Sequence, residues 1–201
     1  MPKTLLTPEQ YLAREAQAEF KSEYFAGETF AMAGGTRAHS IIGGNTTTAF
    51  QNALGGKGCR PFNSDLRVKI DDTGLYTYPD ASVVCGEARI ERRGGAESLL
   101  NPTLIVEVLS DSTEQYDRTV KFDHYRKLES LREYVLVSQH QPRVERFVCE
   151  ADGSWTYHVH EGLDAVATFA AIPAMVPLSN IYLDVAFPEP IPTLRARRED
   201  A

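Results

Sequence analysis

Apolar positions change period several times along this chain, and each change marks an element. Thr7-Pro8-Glu9-Gln10 opens a first helix: threonine can cap, proline suits the first helical position, and Gln10 stands where a capping-box partner belongs. The helix is expected to run to about Phe20. Aromatic residues on either side of Gly27, from Glu23 to Phe30, predict a β-hairpin, which Gly34-Gly35 ends. A second helix is expected over residues 36–54, with Ile41, Ile42, Thr48, Ala49 and Leu54 inward and Gly55-Gly56-Lys57-Gly58 as its stop. Residues 59–70 and 75–85 read as strand-like runs around the turn Asp71-Asp72-Thr73-Gly74, and the charged stretch 86–100 reads as an exposed loop. Residues 103–109 are the most apolar β run. Ser110-Asp111-Ser112-Thr113 then caps a third helix over 114–128. Further strands are expected near 134–138, 144–149, 155–160 and 165–169, with Asp152-Gly153 as a hairpin turn and a last helical turn at Ile181-Tyr182-Leu183. Helix, hairpin, helix, strands, helix, strands is the order of one mixed α/β (α+β) domain, expected over 1–186, with a loose Pro-, Arg- and Glu-rich tail over 187–201.

Composition narrows the functional classes. The 201 residues are 42% apolar and 24% charged, enough for one full core. No run approaches the ~20 apolar residues that a membrane helix needs, and the first residues carry no export signature. The expectation is a cytoplasmic protein with no membrane partner. Cys59, Cys85 and Cys149 lack any Cys-x-x-Cys spacing, so they are expected to be reduced, core-facing thiols rather than zinc ligands. A net charge of −7 argues against avid, non-specific nucleic-acid binding. It leaves room for a local basic rim, either Arg89, Arg92 and Arg93 or Arg118, Lys121, Arg126 and Lys127.

Glu107 interrupts the most apolar strand, and Asp80 follows Pro79 in another strand-like run. A carboxylate inside a buried strand is costly unless it is paired or metal-bound. If the two strands are neighbours, both acids meet at one sheet edge as hard oxygen ligands for Mg²⁺, or Mn²⁺. The alternatives are an Arg or Lys partner for Glu107 and a backbone-bonded turn role for Asp80. Asp117, Lys121 and Tyr125 share a face of the third helix, where Lys121 can act on a phosphate or simply pair with Asp117.

Together these residues resemble a known family. Pro79-Asp80, then Glu107-Val108-Leu109-Ser110-Asp111-Ser112-Thr113, then Asp117-x-x-x-Lys121-x-x-x-Tyr125 are similar to the signature of the Uma-type restriction endonuclease family, formerly a domain of unknown function. That family lies in the PD-(D/E)XK nuclease superfamily. Lys21-x-Glu23-Tyr24-x-x-Gly27-Glu28, His39 and Ser130-Leu131-x-Glu133-Tyr134 extend the likeness over most of the chain. The resemblance implies a restriction-endonuclease-like core: a central mixed β-sheet flanked by helices, here with an additional antiparallel C-terminal β region. It implies a Mg²⁺-dependent endonuclease acting on DNA, with Asp80 and Glu107 as metal ligands and Lys121 as the catalytic lysine; an unpaired sheet edge and exposed hairpins would permit the homodimer that cutting both strands often requires. The alternative is a catalytically weak nucleic-acid-binding or regulatory module that keeps the fold. Leu109 stands where the superfamily motif has its lysine, so the resemblance moves that role to Lys121. Glu23, His39, Asp65, Asp117 and Tyr125 are additional candidates for the site.

Overall fold

The computed structural model describes residues 5–32 and 34–187. Helix α1 (Pro8–Glu15) starts with the expected capping box between Thr7 and Gln10. It stops short of Phe20, where the Glu15 carboxylate accepts hydrogen bonds from the Ser22 N–H and hydroxyl. Strands β1 (Ser22–Phe25) and β2 (Glu28–Ala31) form the hairpin over Ala26-Gly27, both at positive φ as a two-residue turn requires. Helix α2 (Arg37–Leu54) is capped by the Thr36 hydroxyl, which accepts from the His39 N–H.

The two long strand-like runs each divide. The first gives β3 (Cys59–Asn63) and β4 (Arg67–Ile70), and the second gives β5 (Leu75–Thr77) and β6 (Ala81–Cys85). After them come β7 (Ile90–Arg93), β8 (Ala96–Leu99), β9 (Leu104–Leu109), β10 (Glu133–Ser138), β11 (Arg143–Cys149) and β12 (Trp155–Glu161). One six-stranded sheet has the order β2-β1-β5-β4-β8-β7, the other β12-β11-β10-β9-β6-β3. The chain therefore crosses between sheets at each division. Proline has no N–H to give a ladder, and Pro79 stands in the second crossing, directly before Asp80.

The stretch expected as a loop, 86–100, is instead the β7–β8 hairpin, turning at Gly94 and Gly95, both at positive φ. Its inward Leu99 is fully buried, while charged residues on the outer face mask the alternation. The mixed α+β architecture stands, with two large sheets in place of one, a parallel β9–β10 pair at the centre of the second, and an antiparallel β11–β12 pair after it. A small antiparallel sheet, β13 (Val166–Thr168) with β14 (Met175–Pro177), and helix α5 (Leu178–Ile181) complete the C-terminal part. Of the expected tail over 187–201, residues 188–201 lie outside the described residues.

Strand β9 is the centre of the molecule, buried at all six positions. Leu104, Val106 and Val108 pack with Ile42 and Phe50 of α2 on one side. Ile105 and Leu109 face the other cluster, with Val68 and Leu75 of the first sheet and Tyr125. Between β9 and β10 lies a helical segment in three parts: α3 (Glu114–Tyr116), a π-helical turn (Asp117–Lys121) and α4 (Phe122–Tyr125). Thr113 makes no side-chain cap, and the Ser110 carbonyl accepts from the Thr113 and Glu114 N–H groups instead.

The expectation of three reduced thiols is corrected. Cys59 and Cys85 are directly opposed across β3 and β6 and form a disulfide, with Cys149 free. Only the strand register puts them within bonding reach.

Two buried ionic contacts fix the second sheet to its surroundings. Glu133, fully buried, pairs with Arg146 and accepts the Ala171 N–H. Glu145 receives both Arg118 terminal nitrogens at 2.8 Å, together with Arg143 at 2.9 Å and the Tyr157 hydroxyl at 2.7 Å. The Arg118 bonds, first, hold the Glu145 carboxyl down at about 2, helped by Tyr157 and Arg143 against its partial burial. A depressed carboxyl contributes stability that is present above its unfolded value and is lost as pH falls to the folded one. Urea midpoints should therefore fall between pH 4.5 and about 2, and Glu145→Gln should flatten the decline in that window. Glu133→Ala leaves Arg146 buried without its acid and should cost about 3–5 kcal/mol in the same titrations, which Glu133→Leu with Arg146→Met should largely recover.

Candidate active site

Three elements converge on Glu107. In the register of β6 and β9, Ala81 stands opposite Val106 and Ser82 opposite Ile105, so the next antiparallel step sets Asp80 opposite Glu107. Directly opposed residues point to the same face. That face also carries Ile105 and Leu109, and the helical segment covers it. Residues four apart on an α-helix drift by about 40°. The wider π turn at Asp117–Lys121 offsets that drift, so Asp117, Lys121 and Tyr125 stay aligned toward β9.

The resulting contacts are close. Lys121 Nζ lies 2.8 Å from Glu107 Oε1, 3.3 Å from Glu23 Oε1 and 3.5 Å from Asp117 Oδ1. The Tyr125 hydroxyl donates to Glu107 Oε1 at 2.7 Å. Both contacts to Glu107 use Oε1; Oε2 takes part in neither. Asp80 Oδ2 accepts the Val108 N–H at 2.7 Å and lies 3.4 Å from His39 Nε2. Oδ1 takes part in neither. Thr77, which follows from the pairing of β1 with β5, donates its hydroxyl to Glu23. The Tyr134 hydroxyl donates to the Asp117 carbonyl at 3.0 Å and pins the π turn.

Burial and charge oppose each other here. Glu107, Asp117, Lys121 and Tyr125 are each no more than 5% exposed. Burial pushes the Glu107 carboxyl well above the usual range; Lys121 offsets this only in part, and Asp117 and Asp80 push the same way. Asp117 is raised for the same first reason. Burial alone would lower Lys121, but Glu107, Glu23 and Asp117 outweigh it and hold the ammonium well above the ordinary lysine range. One cation thus stands among four acids. Asp80 and His39 form the more open side, with side chains 19% and 21% exposed. The Asp80 contact, first, raises the His39 imidazole against its burial.

The structure thus brings together Asp80, Glu107, Lys121, Glu23, Asp117, Tyr125 and His39. It does not bring Asp65, which is exposed and pairs with Lys21 at 2.6 Å. Sequence reasoning did not single out Thr77 or Tyr116, and had Tyr134 only as part of the family likeness, not as a site residue. Thr77 and Tyr134 come into reach only through strand pairing, and half-buried Tyr116 is raised to about 12 by burial, then by nearby Glu23. Asp117 and Lys121 do pair, as the simpler reading had it, but inside the site rather than on the surface. Most of the expected basic rim is already engaged: Arg92 with Glu97, Arg93 with Glu9, Arg118 with Glu145 and Arg126 with Asp123.

Among the described residues no three His, Cys, Asp or Glu side chains form a ready-made metal cage. The donor set nevertheless suits a hard dication held by two carboxylates and completed by water and phosphate oxygens. Asp80 Oδ1 and Glu107 Oε2 are the oxygens left for it, and the excess of acid over lysine favours added positive charge.

Two cyanobacterial relatives, both described as uncharacterised proteins of Synechocystis sp., align along most of the chain. One, slr1290, is 37% identical over 182 residues, 90% of this chain and 94% of the relative. The other, sll1609, is 35% identical over 151 residues, 75% of this chain and 85% of the relative. The crystal structure described as a putative nuclease belonging to DUF820 from Anabaena variabilis superposes with a TM-score of 0.69 at 21% identity. It covers 88% of this chain and 97% of its own, and shows that the two share a fold. The model of the Uma2 family, described as putative restriction endonuclease, matches residues 8–181, and the chain belongs to that family.

Proposed function

We propose that the protein is a divalent-metal-dependent endonuclease that hydrolyses phosphodiester bonds of DNA. The observation that carries this reading is the direct opposition of Asp80 and Glu107 across β6 and β9, with Lys121 at 2.8 Å from Glu107. Family membership supports a nuclease. Mg²⁺ suits the two-carboxylate donor set, and Mn²⁺ accepts the same ligands. When bound, the ion would supply Lewis-acid polarisation of the phosphoryl oxygen and a more acidic water.

The chain's own residues supply the rest. Asp80 is fixed by the Val108 N–H, so its remaining oxygen keeps one direction. Lys121 and Tyr125 fix Glu107 through Oε1. The ammonium of Lys121, held charged by its three acids, orients the attacking water and offsets charge as the phosphorane forms. Glu23 and Asp117 keep that ammonium beside Glu107. Cutting both strands of a duplex would call for two copies of the site, and a homodimer is part of the proposal. No helix among the described residues is long and apolar enough to cross a membrane.

Nicking of supercoiled plasmid, with conversion of single-stranded circles alongside, tests this. Wild type should nick with Mg²⁺ or Mn²⁺ and not with chelator. Glu107→Gln and Asp80→Asn should each lose more than about 100-fold, since partners outside the ligand shell alone are worth 10–100-fold. Either variant cutting like wild type overturns the metal-site assignment. Lys121→Met should cut about 10²–10³-fold more slowly, on the scale of a lost transition-state donor. Circular dichroism should show each variant folded.

A further inference from the structure

The rim of the site is aromatic where a nuclease for intact duplex would be basic. Phe30 stands directly opposite Glu23 in the β1–β2 register, so its ring projects from the same face as the carboxylate that meets Lys121. That ring is 49% exposed on an edge strand. Tyr116, half-buried, lies close enough to Glu23 and Lys121 to feel both charges. Val120, beside Lys121, is 50% exposed. On the Asp80 side of the site stands His39, with its Nε2 3.4 Å from Asp80 Oδ2.

The charges point the same way. Duplex binding rests on Lys and Arg groups that neutralise phosphates. Here Arg92, Arg93, Arg118 and Arg126 are bound to acids of their own surface, and the chain carries a net charge of −7. Of the seven basic residues nominated as a rim, Arg89 and Lys127 remain exposed without a named acid partner among the described residues. An open aromatic ring on an acidic protein suits unstacked bases, whose π-faces add affinity without charge.

We infer that the substrate is DNA with unpaired bases, and that Phe30 is a stacking platform placing an unpaired base beside the Asp80–Glu107 centre. This rests on the nuclease reading above. In a paired helix the base faces are covered by their neighbours, so the ring would meet only sugar and phosphate. In a single strand, a frayed end or a bubble, one base lies free to stack.

Fluorescence anisotropy of labelled oligothymidylate and of a blunt duplex of equal length tests the inference, with Ca²⁺ to prevent cutting. Wild type should bind the single strand more tightly, with a shallow salt dependence because few phosphates are neutralised. Phe30→Ala should weaken single-strand binding about tenfold and leave duplex binding unchanged, and Phe30→Trp should restore it. Phe30 is half-exposed on an edge strand, so a folding defect is not expected, and thermal melting checks this. Duplex binding as tight as the single strand, or single-strand affinity unchanged in Phe30→Ala, overturns the inference and leaves the nuclease reading standing. Failure of wild type to bind either DNA overturns both.

Discussion

An ionisable carboxylate stands in the middle of a strand with no solvent along it. Glu107 is 3% exposed in β9, with Val106 and Val108 beside it in the chain and Leu136 across from it on β10. An isolated charge there would cost several kcal/mol even after relaxation. Lys121 offsets part of that cost, and much of the surrounding architecture serves to keep it in place. The helical segment must lie across β9, which the Arg118–Glu145 pair and the Tyr134 hydroxyl secure from the second sheet. The segment must also carry Asp117, Lys121 and Tyr125 on one line, which the π turn provides. Glu23 must arrive from the first sheet, so β1 must pair with β5 and place Thr77 against it. The buried acid is thus the point at which both sheets and the connecting helix meet.

The sequence shows the acids because of their contrast with their surroundings. Glu107 is conspicuous in an otherwise apolar run, and Pro79-Asp80 is conspicuous in a strand-like one. Their opposition is a matter of register, which no single run encodes. The divisions of 59–70 and 75–85 escape notice for a related reason. Apolar residues continue on both sides of each break, while the pairing partners change from one sheet to the other. The hairpin at 86–100 is concealed by arginines and glutamates on its outer face. The disulfide depends on the β3–β6 ladder, so composition pointed to free thiols where geometry makes a pair. Asp65 has the right chemistry and neighbours Leu66 at a crossing, yet its carboxylate turns outward to Lys21. Residue type gave the candidates; strand pairing decided which of them meet.

The displaced lysine follows from the same geometry. A lysine at position 109, two after Glu107 on the same strand, would share Glu107's face and enter the cluster that Leu109 now fills with Leu128 and Leu131. Placing the ammonium on the π turn instead leaves that cluster apolar. It also lets Asp117 and Glu23 approach the ammonium from separate elements. Lys121 can therefore hold a firm position without any strand side chain being sacrificed from packing.

Electrostatics then links the ion and the substrate on the proposed reading. Glu23, Asp80, Glu107 and Asp117 outnumber Lys121, so the centre by itself repels a phosphate. At physiological salt that repulsion is screened beyond about 8 Å, so the acidic surface elsewhere matters less than the few groups lining the cleft. Two carboxylates facing one another at that spot would invite a dication, whose charge would reverse the sign of the local field. Affinity for DNA should then depend on ion occupancy more than on any basic patch. Contacts that need no charge, such as an open aromatic ring, become the remaining way for an acidic protein to hold a polyanion close to its centre.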